Sequence, residues 1–193
     1  MLTQTMDMKF SLKIETKRKI RQIAYYQIIG ALLGILIVIW TATKITHVTI
    51  ELVIFYSIGT LAFAYSILCG QKLLKGEIQK ALQLSTVNQI FQLFTFAILG
   101  FSFKFTAGIN LGLGFDYTNS FLFAFSFQFS QFSMSFDSSS TEAILQINLV
   151  ALYVLYLIET TKKKVKQELL LSDSLLPDES DQDILQTQKE VFL

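Results

Sequence analysis

His47 and Glu51 are the one pairing in this 193-residue sequence with a metal or proton-transfer chemistry in reach. Positions i and i+4 share a face of a helix. An imidazole and a carboxylate set that way could ligate a metal ion or relay a proton. Two ligands fall short of the four that zinc takes. The same pair also suits a membrane–water boundary, where both groups hydrogen-bond and reach to water. His47 is the only histidine and Cys69 the only cysteine. A nucleophile elsewhere would have to reach that one imidazole for a base. A lone cysteine builds neither an intramolecular disulfide nor a cysteine metal site. The sequence holds no phosphate-binding glycine loop and no paired histidines of the HExxH kind. The expectation is therefore a protein that is not an enzyme, with no catalytic residue, metal or cofactor.

Other residues speak of packing. Gly30 and Gly34 form a GxxxG, which lets helices approach closely. Packing within one chain is the expected use, with dimerisation as the alternative, and Gly59 and Gly100 offer the same service. Asn88, Gln89 and Gln92 sit in one apolar run, Gln146 and Asn148 in another. Such amides hydrogen-bond across membrane helices. Their order along the two runs predicts opposite membrane depths, so no continuous polar path is expected.

The elements that must position these residues read as membrane-spanning. Hydrophobic residues make up 52% and charged residues 16%, against about 25% charged in a soluble domain. Long stretches carry no charge, as a bilayer demands. Four runs are expected to cross, at about 23–40, 48–70, 87–103 and 143–159. The first has about the length needed for a hydrocarbon core of roughly 30 Å. It carries Tyr25, Tyr26 and Trp40 at its ends, as interfacial aromatics would be. It also exceeds the ~7–15 apolar residues of a signal peptide. Pro177 is the only proline, so the spans lack proline kinks.

Charge sets the expected orientation. Segment 1–22, the connector after the second run and the chain end hold 14 of the 16 basic residues; Lys44 and Lys104 fall on the other side. Basic loops face the cytoplasm, which predicts a multi-pass cell-membrane protein, of the bacterial inner membrane, with both ends cytoplasmic. Lys162, Lys163, Lys164 and Lys166 suit anionic headgroups, and no nucleic-acid partner is expected. Residues 167–193 carry seven acids and one base. This acidic tail is expected to be solvated; the competing reading is a short amphipathic helix capped by Ser180, with Ile184, Val191 and Phe192 as a docking face.

Fourteen of the eighteen phenylalanines lie between Phe91 and Phe136. Apolar residues alternate at Ile109, Leu111, Leu113, Phe115 and Tyr117, and again from Phe121 to Phe129. The pattern slips by one residue near Ser130 and continues through Phe132, Met134 and Phe136. Period two places the aromatics on one face of a strand and the small polar residues on the other. Thr118–Ser120 reads as the turn, and the slip as a β-bulge. A helix is the competing reading, since Phe121, Phe125, Phe129, Phe132 and Phe136 also match helical spacing. A fifth span, however, would carry Lys162–Lys166 to the wrong side.

The resulting expectation is an all-α membrane protein, a four-transmembrane-helix bundle within 23–166. An extracytoplasmic aromatic β-hairpin at 104–137 lies between its third and fourth helices. Its partners would be the lipid bilayer and either a foreign protein or further copies of the chain. Its role would be that of a scaffold, accessory subunit or interaction partner. The alternative is a small homo-oligomeric channel or transporter.

Overall fold

The computed structural model describes residues 12–118, 121–137 and 141–173. The acidic tail after residue 173, with its competing helix reading, and the first eleven residues lie outside them. Helix α1 spans Ile14–Ala42 and so begins well before the apolar run. Lys, Arg, Glu and Gln are strong helix formers, and no glycine or proline interrupts 14–29. Helix α2 spans Ile50–Leu74, with the Thr49 hydroxyl accepting from the Leu52 N–H at 3.4 Å as an N-cap. It ends where Gly76 takes φ +91°, a left-handed value suited to glycine. The N–H groups of Gly76 and Glu77 return to the carbonyls of Leu73 and Lys72.

The four-span, all-α bundle is not what the chain forms. Among the described residues two helices, α1 and α2, are long and apolar enough to cross a membrane. The third run divides. Helix α3 (Ile78–Leu93) gives way at Phe94 to strand β1 (Phe94–Ile98). The fourth run starts as strand β4 (Ile144–Asn148) and only then becomes helix α4 (Leu149–Asp173). The cause is residue type. Hydropathy sums treat Phe and Ile much as they treat Leu, yet aromatic and β-branched residues favour strands. The stretch Phe94–Phe103 alternates with period two around a Leu99–Gly100 turn.

The aromatic segment is a hairpin, as its alternation predicts, but part of a larger sheet. Strands β2 (Phe101–Asp116) and β3 (Leu122–Phe136) pair antiparallel, Phe101 with Phe136 and Asp116 with Leu122. Strand β1 pairs with the first part of β2, β4 with the last part, and β1 with β4. Pairing among β1, β2 and β4 thus closes on itself, which leaves β3 at the edge. The phenylalanine slip does mark a bulge, with the extra residue on the partner strand. Ala107 and Gly108 of β2 together face Ser130 of β3. Gly108 has φ +122°, and its N–H donates to Ser130 Oγ at 2.9 Å.

Helices α1 and α2 lie antiparallel in close contact. Gly34 of α1 abuts the ring of Phe63, and Gly70 of α2 abuts Ile28 and the Ala24 carbonyl. The apolar interior has two parts. One joins Ile20, Ile23, Leu73, Leu82, Val154 and Ile158. The other joins Ala31, Phe63, Phe105 and Ala107 where β2 crosses α1.

Candidate functional site

Between those two apolar clusters lies a layer of buried neutral polar side chains. On α1, Gln27 falls between Ala24 of one cluster and Ala31 of the other. On α2, Ser66 falls between Leu73 and Phe63. On α3, Ser85, Asn88, Gln89 and Gln92 follow Leu82, and all are fully buried. Those four stand at i, i+3, i+4 and i+7, one face of a helix. The outward face of α3 carries Val87, Ile90 and Phe91, exposed by 44, 48 and 57%. This helix is amphipathic with its polar side inward. In water that arrangement exposes apolar surface and buries amides, both costly.

Part of the layer is tied together. Ser85 Oγ donates to Gln27 Oε1 at 3.2 Å, and Asn88 Nδ2 to Ser66 Oγ at 3.0 Å. Gln92 Oε1 accepts the Ala107 N–H at 2.9 Å, where the β2 bulge leaves the ladder. Ser130 Oγ donates to the Gly30 carbonyl at 2.6 Å and joins β3 to α1. Asn148 Oδ1 accepts from Leu111 and caps α4 through the N–H groups of Val150 and Ala151. Cross-strand pairing of Phe94 with Ile147 places Asn148 beside the end of α3. Asn148 of the fourth run, expected at the opposite depth to the amides of the third, therefore lies beside the end of α3, while Gln146 lies farther out on the sheet. Strand and helix replace two full spans, so position along each run ceases to measure depth.

The sheet repeats the inversion. Leu111, Leu113 and Phe115 pair with Phe127, Phe125 and Phe123 on one face. Phe123, Phe125 and Phe127 are exposed by 75, 68 and 58%. On the opposite face Gly112 pairs with Ser126, whose hydroxyl bonds Gln146 Oε1 at 3.0 Å. Apolar side chains outward with small polar ones inward is the alternation of a strand facing lipid. Beyond the bulge the apolar side chains change to the opposite face, because β3 keeps strict alternation from Phe129 to Phe132, and there they are covered. Phe105 packs on Phe63, and Phe132 on Phe55, with ring centroids 5.4 and 5.2 Å apart. A groove of about 440 Å³ runs between this half and the helices, past Gly34, Thr41, Gly59, Gln128 and Ser130.

His47 and Glu51 do not share a helical face. His47 lies in the connector before α2 and Glu51 in the first turn, both exposed. Among the described residues no three His, Cys, Asp or Glu gather as a metal site. Gly30 and Gly34 pack inside the chain. A Cβ on Gly30 would stand 2.6 Å from the Ala107 carbonyl and the Gly108 nitrogen. Cys69 is buried.

Charges collect at one end of the molecule. The start of α1, the α2–α3 connector and the far part of α4 meet there. Glu168 of α4 accepts from the Lys13 N–H at 2.9 Å and the Thr16 hydroxyl at 2.7 Å. It thereby caps α1 from another helix. Burial pushes its carboxyl up, but these bonds and the charges of Lys13 and Lys164 outweigh that and hold it below its ordinary value. Lys72 bonds Glu77 at 2.6 Å, and Lys162 reaches Glu159 and Thr86.

The sequence alone singles out Asn88, Gln89, Gln92, Gln146 and Asn148, and marks Asn110 and Ser130 only by their place in the strand pattern; Gln27, Ser66, Ser85 and Thr106 are missed. A signal for some was present. Gln27 is the one amide inside the first apolar run, and 85, 88, 89 and 92 mark one helical face. Comparison with protein-family models, curated proteins and solved structures gives no match to this chain.

Proposed function

We propose that this chain is a non-enzymatic integral membrane protein that works through protein contacts, with the outer edge of β3 as its contact surface. The observation that carries this is the split sheet, aromatic on one exposed face and polar on the other. The exposed apolar sides of α1 and α2 extend the same kind of surface, with Leu32, Leu36, Ile54 and Leu61 outward. In this reading α1 and α2 cross the bilayer and the outward faces of α3 and the sheet also meet lipid. The basic end of the molecule lies at the cytoplasmic surface, where anionic headgroups draw lysine and arginine.

An open strand edge has no water to satisfy it in hydrocarbon, so another backbone must do so. Among the described residues β3 pairs with β2 only. A partner strand laid along Leu122–Gln128 would take up those amides and continue both faces. Crosslinking in native membranes through a photoreactive residue at Phe127, followed by mass determination, tests this. The expected product joins β3 to a second polypeptide, and only uncrosslinked single chains would overturn it.

One observation favours a second reading. The polar face behind the aromatic one suits a lumen, and several copies joined edge to edge would enclose it. A crosslinked product made only of this chain, with ion or solute flux in reconstituted vesicles, would put the homo-oligomeric channel first.

A further inference from the structure

The buried amide layer raises a question that contact between proteins does not answer. Buried polar atoms in native proteins are almost always hydrogen-bonded, and those that are not call for a ligand or water. Here most of the exceptions, all but Thr106 Oγ1 and Gln128 Oε1, belong to that layer and its border with the sheet. Gln27 Nε2, Asn88 Oδ1, Gln92 Nε2, Asn148 Nδ2 and both polar atoms of Gln89 and of Asn110 have no partner among the described residues. All six side chains are at most 2% exposed.

The chemistry of this set selects its ligand. The free atoms include five amide nitrogens and three carbonyl oxygens. A cation would meet the nitrogens' N–H dipoles, and an anion would meet the carbonyls. The buried polar residues include no Asp, Glu, Lys, Arg or His, so nothing offsets the desolvation of an ion, which costs several kcal/mol. A neutral molecule that both donates and accepts hydrogen bonds satisfies both kinds of atom at once.

The layer is also closed at one end. The apolar cluster of Ile20, Ile23, Leu73 and Ile158 shuts it off from the basic end of the molecule. On the other side Gln92 and Asn110 adjoin the bulge, and the polar face continues through Gly112, Ser126 and Gln146. The layer is thus shut off at one end and continuous with the polar face of the sheet at the other, which suits holding a molecule rather than passing one through.

We infer that this layer is a binding site for small uncharged molecules carrying both donors and acceptors, namely water or a compact amide or alcohol, and that it rejects ions. The inference stands apart from the contact role, because it concerns the interior and not the β3 edge.

Nitrogen-15 labelling of Asn and Gln in the full chain, in lipid nanodiscs, tests it by NMR. The side-chain NH₂ groups of Gln27, Gln89, Gln92, Asn110 and Asn148 are followed. Single Asn→Gln and Gln→Asn exchanges, which keep an amide at each site, assign the signals. Through-space transfer from water to these NH₂ groups identifies water as occupant. Saturable shifts of the same signals with acetamide or glycerol identify a small solute. Either result supports the site, provided potassium chloride and sodium phosphate leave the signals in place. No water transfer and no response to acetamide or glycerol would overturn it. A saturable response to either salt would overturn it as well.

Discussion

At the scale of single residues, closeness of backbone decides most. Gly30 admits the β2 bulge against α1, and Ser130 bonds its carbonyl. A Cβ at Gly30 meets backbone, which cannot swing aside as a side chain can. Gly30→Val is expected to lower stability by about 1–3 kcal/mol, the usual cost of overpacking. Thermal unfolding in a mild detergent measures it, and an unchanged midpoint would show that α1 and β2 do not meet as described. Glu168 acts by charge and geometry. Its carboxyl lies below the ordinary value of 4.5 in the folded chain. A lowered native value means that the carboxylate adds stability above pH 4.5 and loses it as pH falls through the native value. Glu168→Gln should therefore cost about 0.5–2 kcal/mol at neutral pH, as for a lost helix cap. The gap between the two proteins should narrow on acidification below pH 4.5. A gap that stays constant with pH would count against the cap.

At the scale of elements, the recurrent theme is inversion. Helix α3 and the half of the β2–β3 hairpin from Ile109 to Phe129 both turn polar residues inward and apolar ones outward. Each was visible as a period in the sequence, 3.6 for the helix and two for the strands. The turn between β1 and β2 shows what periodicity does not reveal. Leu99 has φ +53° and Gly100 φ +80°. Positive φ at both central positions is the hairpin turn that favours Asn-Gly. Leucine there is strained by roughly 1–2 kcal/mol, and its side chain is 93% exposed. Leu99→Asn should therefore raise the unfolding midpoint. A lower midpoint would mean that the leucine is held by lipid or a partner more strongly than the backbone resists it.

At the scale of the whole molecule, surroundings decide what the surface means. In water, the row Phe123, Phe125, Phe127 and Phe129 on an open strand would invite aggregation. Against lipid it is in its own solvent, and a charge there becomes the costly residue. Phe125→Lys should reduce the membrane-inserted fraction, since a lysine at mid-bilayer on a strand costs about 2–4 kcal/mol. Flotation of vesicles after reconstitution reads that fraction. Equal flotation of both proteins would place this face outside the hydrocarbon.

The sequence by itself determined the helical character of 23–40 and 48–70. It determined the strand alternation through 109–136 and the place of its slip, and the gathering of basic residues into three segments. These are local properties, written in the period and type of neighbouring residues. Tertiary structure decided the rest. It ended the third run as a helix at Leu93 and began the fourth as a strand at Ile144. A strand there finds partners for its backbone in β2, which no count of apolar residues can register. It assigned the bulge's extra residue to β2 rather than β3, because only pairing shows which strand has one residue too many. It also left His47 outside the helix that carries Glu51 and brought Gln27, Ser66, Ser85 and Asn88 together. Residues distant in sequence share a layer only after strands and helices have set their own rise per residue.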